Sequence, residues 1–267
     1  LKYALAEIDR SAYTFSIAAE ESKKDNTEHL TLNRINNTDQ REGIVEYFPI
    51  GLVAGIAPFN FPMNLAVHKI APAIASGCPI ILKPASRTPI SCLELAKIID
   101  RTELPKGAVS ILPMDRKTGN LLVTDERFKL LSFTGSPDIG WKMKAESGKK
   151  KVVLELGGNA ATIITPSADL KDALTKSLMG AFAYSGQICI HAQRFIVHSS
   201  LYESFVNELK SLTLNLKSGN PLDATTDISN MIDEANAIRV EQSINEALKQ
   251  GAQLICGGKR NGSYVEP

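Results

Sequence analysis

The chain has 267 residues, 43% of them hydrophobic and 22% charged, which is enough apolar material for a sizeable core and the length of roughly one to two domains. Thirty basic residues against 29 acidic ones leave a formal net charge of +1, so no strong field is present to recruit nucleic acid or an anionic membrane surface. No run reaches the roughly 18 apolar residues of a membrane helix, and Leu1 to Ala19, interrupted by Lys2, Glu7, Asp9 and Arg10, lacks the apolar stretch of a signal peptide.

In chain order, Leu5, Ile8, Ala12, Phe15 and Ala19 recur at helical spacing and predict an amphipathic helix ending near Lys24-Asp25-Asn26. Leu30-Thr31-Leu32 and Gly43 to Phe48 flank a polar connection rich in Asn and Asp, the pattern of a β-ribbon extending as an arm. From Ile50 to Leu156, short apolar runs alternate with helix-length segments: Gly51–Ala57, Pro79–Leu82, Val109–Leu112, Lys129–Phe133 and Val152–Leu156 read as strands of a doubly wound parallel α/β sheet. Pro62, Gly77, Pro89 and Gly148 punctuate the helices between them, and Pro72 is expected to kink or divide the first. A second α/β segment follows Gly158, with strands at Ala160–Thr165 and Arg194–Val197 and helices at Asp169–Tyr184, Tyr202–Leu212 and Ala235–Gln250. Motif logic divides the chain into a helix at 1–27, a ribbon at 28–48, a nucleotide-binding domain at 49–156 and a catalytic domain from 157.

Open parallel sheets bind ligands outside the carboxyl ends of their strands. Three unusual runs fall there: Ala57-Pro58-Phe59-Asn60-Phe61-Pro62, Lys83-Pro84-Ala85-Ser86 and Phe133-Thr134-Gly135-Ser136. In the last, Ser136 is placed to cap a helix, Pro137 to fill its first turn, and Gly135 to let an anion approach the backbone; a pyrophosphate or simply a capped helix satisfies that pattern. Lys83 ends an apolar strand, where a cofactor or plain exposure explains it equally, and Asn60 either donates to an oxyanion or bonds its own turn. Cys189 lies in Ala183-Tyr184-Ser185-Gly186-Gln187-Ile188-Cys189, among small and flexible residues that leave a thiol approachable; Glu155 precedes Leu156-Gly157-Gly158, where a ligand can lie against backbone. Cys78, Cys92 and Cys256 read as small core residues, and the four cysteines lack zinc or disulfide spacing, which fits a reducing, cytoplasmic setting. No histidine shows ligand spacing; His191 shares a face with Cys189 only if the run between them is a strand.

These five runs, in this order and at these spacings, resemble the aldehyde dehydrogenase superfamily of NAD(P)-dependent enzymes over nearly the whole chain. The resemblance implies that Cys189 attacks an aldehyde to form a thiohemiacetal, that Asn60 and the Cys189 N–H stabilise the oxyanion, and that Glu155 activates the water that releases the acid from a thioester. It places the cofactor against Ala57, Pro58, Phe59, Lys83, Ala85, Ser86, Gly107, Phe133, Gly135, Ser136, Gly140, Leu156 and Gly157. Ser86 departs from the glutamate of many NAD-preferring members, removing a charge that would repel a 2′-phosphate, so NAD and NADP are both admissible, with Lys83 or Arg87 facing the phosphate.

A hydrolytic aldehyde dehydrogenase is therefore the leading expectation, and a CoA-acylating member, disfavoured by Glu155, is its neighbour. Ile188, apolar where some relatives acting on phosphorylated or phosphonate aldehydes have arginine, leaves small hydroxyaldehydes or semialdehydes as substrates. The first residue is not Met and Ser263 to Pro267 begin an extended segment, which suggests a partial chain: inactive in isolation, or a non-catalytic nucleotide-binding fragment if it truly stops there. For the full-length protein the resemblance implies a homodimer or homotetramer, with no nucleic-acid or membrane partner.

Overall fold

The computed structural model describes residues 1–32 and 41–267. The chain divides into two compact units, one of Ala6–Glu155 and one of Leu156–Pro267 with Leu1–Leu5. The first is built on a five-stranded sheet of β3 (Val53–Ile56), β4 (Ile80–Lys83), β5 (Val109–Ile111), β6 (Leu130–Gly135) and β7 (Lys151–Leu156), in the order β5-β4-β3-β6-β7. β3 pairs in parallel with β4 from Val53↔Ile80 to Ile56↔Lys83, and with β6 from Val53↔Leu130 to Ile56↔Phe133; β4 pairs in parallel with β5. The order reverses at β3, so the crevice for a ligand lies at its carboxyl end, between β3 and β6.

β3 is buried over all four residues because it is central and covered on both faces, and the run Val-Ala-Gly-Ile suits that position. Around it Val67, Ile70, Ile80, Leu82, Cys92 and Leu95 make one core; each fully buried aliphatic side chain contributes about 1.5–3 kcal/mol. The helices are α2 (Asn64–Ala75), α3 (Ile90–Asp100), two four-residue helices, α4 (Arg116–Gly119) and α5 (Leu121–Thr124), and α6 (Pro137–Glu146). Pro72 does not divide α2, which runs through it unbroken. Lying in the last turn on an exposed face, it forgoes a single backbone bond there.

The amino-terminal helix α1 (Lys2–Glu21) corrects the predicted face. Leu5 and Ile8 are 56% and 52% exposed, whereas Glu7 and Ser11 are buried at 8% and 4%. The packed stripe is Glu7, Ser11, Phe15 and Ala18, also helically spaced, and the last two reach the core. The reason is polar: Oε1 of Glu7 accepts from the Met63 N–H at 2.7 Å and the Asn64 N–H at 3.0 Å. β1 (Glu28–Thr31) and β2 (Glu42–Val45) pair antiparallel from Glu28↔Val45 to Thr31↔Glu42. The polar Asn- and Asp-rich connection expected within this ribbon falls on residues 33–40, outside the described residues.

In the second unit, β8 (Ala161–Ile164) pairs in parallel with β9 (Arg194–Val197), and α7 (Leu170–Phe182) packs on α8 (Ser199–Leu214) around Ile164, Leu174, Phe195 and Phe205. α9 (Glu234–Lys249) is pinned to the hairpin of β10 (Arg260–Asn261) and β11 (Tyr264–Val265) by Arg260, which donates to Glu241 at 2.8 Å and Glu234 at 3.0 Å. Among the described residues, no helix is long and apolar enough to cross a membrane.

Candidate active site

The carboxyl ends of β3, β4 and β6 form one rim. Ala57 follows β3, its N–H donating to the Lys83 carbonyl at 3.0 Å, and is followed by half-buried Pro58 and Phe59 and buried Asn60. Half-buried Ala85 and exposed Ser86 follow β4; Phe133 and Gly135 end β6, and Gly140 is buried in the first turns of α6. Ser136 takes the amino-terminal position of α6 with extended backbone, but its hydroxyl makes no capping bond, contrary to the predicted cap. The first-turn N–H groups, one of them already removed by Pro137, are therefore not consumed by that hydroxyl.

Lys83 is half-buried at the rim, Nζ donating to the Pro84 carbonyl at 3.3 Å. Burial, then the nearby Arg116 charge, lower its pKa, with Asp115 opposing. Lys83 at the end of β4 with the neighbouring Arg116 charge, and the α6 N–H groups after β6, are each donors of the kind an anionic cofactor complements. Gly119, which the sequence reading missed, ends α4 against this lysine: a Cβ there would sit 3.2 Å from both Cδ and Cε of Lys83. Gly107 is the converse. It precedes β5, at the amino ends of the parallel strands, in left-handed backbone at φ 86°, and lines a groove of about 350 Å³ with Ile99, Leu104 and Val109. The structure does not bring it to the rim.

The Asn60 loop is tightly specified. Phe61 holds left-handed backbone at φ 42°, unusual for a bulky residue. Thr88 Oγ1 donates to the Phe59 carbonyl at 3.1 Å, and Cys92 Sγ to the Pro62 carbonyl at 3.1 Å. Burial pushes the Cys92 thiol up to about 11, with the Glu7 charge adding to it, so this cysteine is an inert strut.

Lys69 was also missed. It is 5% exposed on α2, and Nζ donates to Thr134 Oγ1 on β6 at 2.6 Å. Burial pulls its pKa down from the ordinary 10.5 to about 8, against the opposing attraction of Glu155 on β7. β7 begins beside β6, the Lys151 N–H donating to the Lys129 carbonyl at 3.0 Å, which sets exposed Glu155 toward the carboxyl ends. Gly55 makes room for the β4 side chains beneath Lys69, since a Cβ there would lie 2.8 Å from Leu82 Cδ1 and 3.2 Å from Ile80 Cδ1, and only in ordinary contact with the lysine stem. The signal in the sequence was spacing: Lys69 falls three residues after Ala66 and four before Ala73, on the buried stripe of α2.

In the second unit, α7 ends at Phe182, short of the predicted Tyr184. Tyr184, Ser185 and Gly186 are left-handed in succession, at φ 56°, 54° and 71°. Their side chains hold this turn: Ser185 Oγ accepts from the Ser229 N–H at 2.9 Å, Gln187 Oε1 from the Ile232 N–H at 2.9 Å, and the Tyr184 ring meets Tyr3 edge-on at 5.8 Å. Cys189 follows in an exposed turn with Ile190. Of the other cysteines, Cys78 and Cys92 are buried and Cys256 is half-buried. The run to His191 is not a strand; Nδ1 of His191 bonds the Ile188 carbonyl at 2.8 Å and closes the turn. Leu156 is half-buried and Gly157 exposed. Beyond them the carbonyl of Gly158 accepts from the Gln193 amide and that of Asn159 from the Arg194 guanidinium at 2.8 Å, so the segment after Gly157 runs beside the segment after Cys189. Among the described residues, no cluster of three or more His, Cys, Asp or Glu is placed to hold a metal ion.

The sequence profile described as the aldehyde dehydrogenase family matches residues 1–267. The 3-sulfolactaldehyde dehydrogenase of Priestia aryabhattai is 41% identical over 98% of this chain and 55% of its own length, and the lactaldehyde dehydrogenase of Methanococcus aeolicus is 38% identical over 100% and 57%. Among solved structures, aldehyde dehydrogenase 21 of Physcomitrella patens, in complex with the reaction product succinate, superposes with a TM-score of 0.94 at 47% identity, covering 98% of this chain and 55% of that one. The glyceraldehyde-3-phosphate dehydrogenase of Methanocaldococcus jannaschii, complexed with NADP, gives 0.93 at 36% identity, with 100% and 58% covered. The chain thus spans little more than half the length of these relatives. With the profile matched over residues 1–267 and the doubly wound sheet in place, the chain belongs to the aldehyde dehydrogenase family.

Proposed function

We propose that this chain carries the cofactor rim and the nucleophile of an NAD(P)-dependent aldehyde dehydrogenase that converts a small hydroxyaldehyde or semialdehyde to its acid. The observation that supports this most is the presentation of Cys189: the thiol is exposed just beyond a turn whose three left-handed residues are tied down by Ser185 and Gln187. Cys189 Sγ adds to the carbonyl carbon, and the alkoxide of the thiohemiacetal takes hydrogen bonds from the Asn60 amide and the Cys189 N–H. Loss of hydride leaves a thioester on Cys189, and water deprotonated by Glu155 releases the carboxylate and the free thiol. Lys83, Arg116 and the amino end of α6 hold the phosphates of NAD(P), which when bound supplies the hydride acceptor. Ser86, exposed and uncharged at the rim, admits a 2′-phosphate. The named relatives act on short polar aldehydes, and this supports the substrate class.

The test is a panel of short aldehydes with NAD and with NADP, assayed on the full-length protein. Aldehyde-dependent NAD(P)H formation is expected, and Cys189→Ala is expected to lower it by more than about a thousandfold. Unchanged turnover in that variant would sink the assignment. Product analysis with CoA present is expected to give free acid and not the acyl-CoA.

A further inference from the structure

We propose that Glu7 is a positioning residue for Asn60, its buried carboxylate holding the loop that aims the Asn60 amide; this rests on the reading of Asn60 as an oxyanion donor. Carboxylates are almost never fully buried unless their charge is satisfied. In α1 one is buried while Leu5 and Ile8 stay exposed, and the partners that replace water are the Met63 and Asn64 N–H groups at 2.7 and 3.0 Å. α2 has no cap of its own, since Met63 at its amino end is helical, φ −77° and ψ −53°, and makes no side-chain capping bond. Glu7 supplies the cap from another element, with its charge at the positive end of the helix.

The consequence reaches Asn60 through three residues. Phe61 is left-handed and precedes Pro62, a combination that persists only when the surroundings over-determine it. Thr88 fixes the loop ahead of Asn60 through the Phe59 carbonyl, Cys92 fixes the Pro62 carbonyl, and Glu7 fixes the exit through Met63 and Asn64. Without the carboxylate, the two amides lose their acceptor and the loop is free to relax toward ordinary backbone, carrying Asn60 off the oxyanion.

The experiment uses the full-length protein and reads the NAD(P)H burst rate, cofactor affinity and the rate at which iodoacetamide alkylates Cys189. Glu7→Ala is expected to slow the burst about tenfold to a hundredfold, while cofactor affinity and alkylation change by less than about twofold. Glu7→Gln, which keeps an acceptor oxygen without the charge, is expected to recover to within about threefold of wild type. The double variant Glu7→Ala with Asn60→Ala is expected to be no more than about twofold slower than Asn60→Ala alone. Multiplying defects, or a wild-type burst in Glu7→Ala, would overturn the proposal. A wild-type burst in Asn60→Ala would instead remove the oxyanion reading beneath it. Should Glu7→Ala fail to fold, Glu7→Asp, whose carboxylate is drawn back by one methylene, carries the same cycle with the same outcomes.

Discussion

Residues 58–63 and residues 183–191 each force non-glycine residues into left-handed backbone, Phe61 in the first and Tyr184 and Ser185 in the second. Such residues cost of order 1–3 kcal/mol each, so both loops need ties from outside. The ties differ in direction. In the Asn60 loop, the backbone is held by the side chains of Glu7, Thr88 and Cys92, and Asn60 itself is buried. In the Cys189 loop, the loop's own Ser185 and Gln187 reach out to the amides of Ser229 and Ile232, and Cys189 stays exposed. A donor to transient charge works from a fixed, water-poor position, whereas a nucleophile needs a path for its substrate. Both backbones are fixed, and the difference in exposure falls on the two side chains assigned to chemistry.

In the first loop the largest effect is expected at Asn60. Asn60→Ala is expected to lower kcat by about a hundredfold to a thousandfold with little change in the aldehyde KM. A variant altered in KM alone would make the first loop a binding element. Steady-state kinetics over a range of aldehyde concentrations distinguishes the two.

Lys69 probes the same unit through stability. The unfolded chain binds its proton up to 10.5, the folded one only up to about 8, so between those values the unfolded state holds more protons and stability rises with pH. Below that window the buried charge costs about 3 kcal/mol, and relative to Lys69→Met the native protein regains it as pH climbs. Urea titrations of both proteins at about pH 7.5 and about pH 10 measure this. Parallel pH dependence would show that the lysine is solvated.

The smallest effect belongs to the second loop. Gln187→Ala leaves the Ile232 N–H without its side-chain acceptor, a loss of about 1–3 kcal/mol. Faster hydrogen exchange at Ile232 and a slower burst are expected together. An exchange change with normal kinetics would mean that the tie serves only the fold.

The five-stranded parallel sheet was legible because its strands are short apolar runs bounded by Gly and Pro, and in the second unit β9 lies over the residues where it was expected. Helices α4 and α5 were not, since four residues carry no periodicity. The face of α1 misled because Leu5 and Ile8 outweigh Glu7 by hydrophobicity, and only tertiary structure shows that two backbone amides await a carboxylate. Lys69 was within reach, as a charge on an otherwise apolar stripe. Gly107 follows a proline-containing turn and Gly119 ends a helix too short to announce itself, and only strand direction separates the glycine at the amino ends from the one against Lys83. The left-handed run from Tyr184 to Gly186 has no signal beyond its glycine, because Tyr and Ser rarely adopt that backbone.

Acylation of Cys189 is read out by intact-mass and peptide analysis of full-length Glu155→Gln. With an aldehyde and NAD(P) supplied, hydrolysis is slowed and an adduct of the aldehyde's mass less two hydrogens should accumulate on the peptide containing Cys189. Reduced cofactor should form in a single burst alongside it. An unmodified Cys189 during that burst, or an adduct on another residue, would contradict the account.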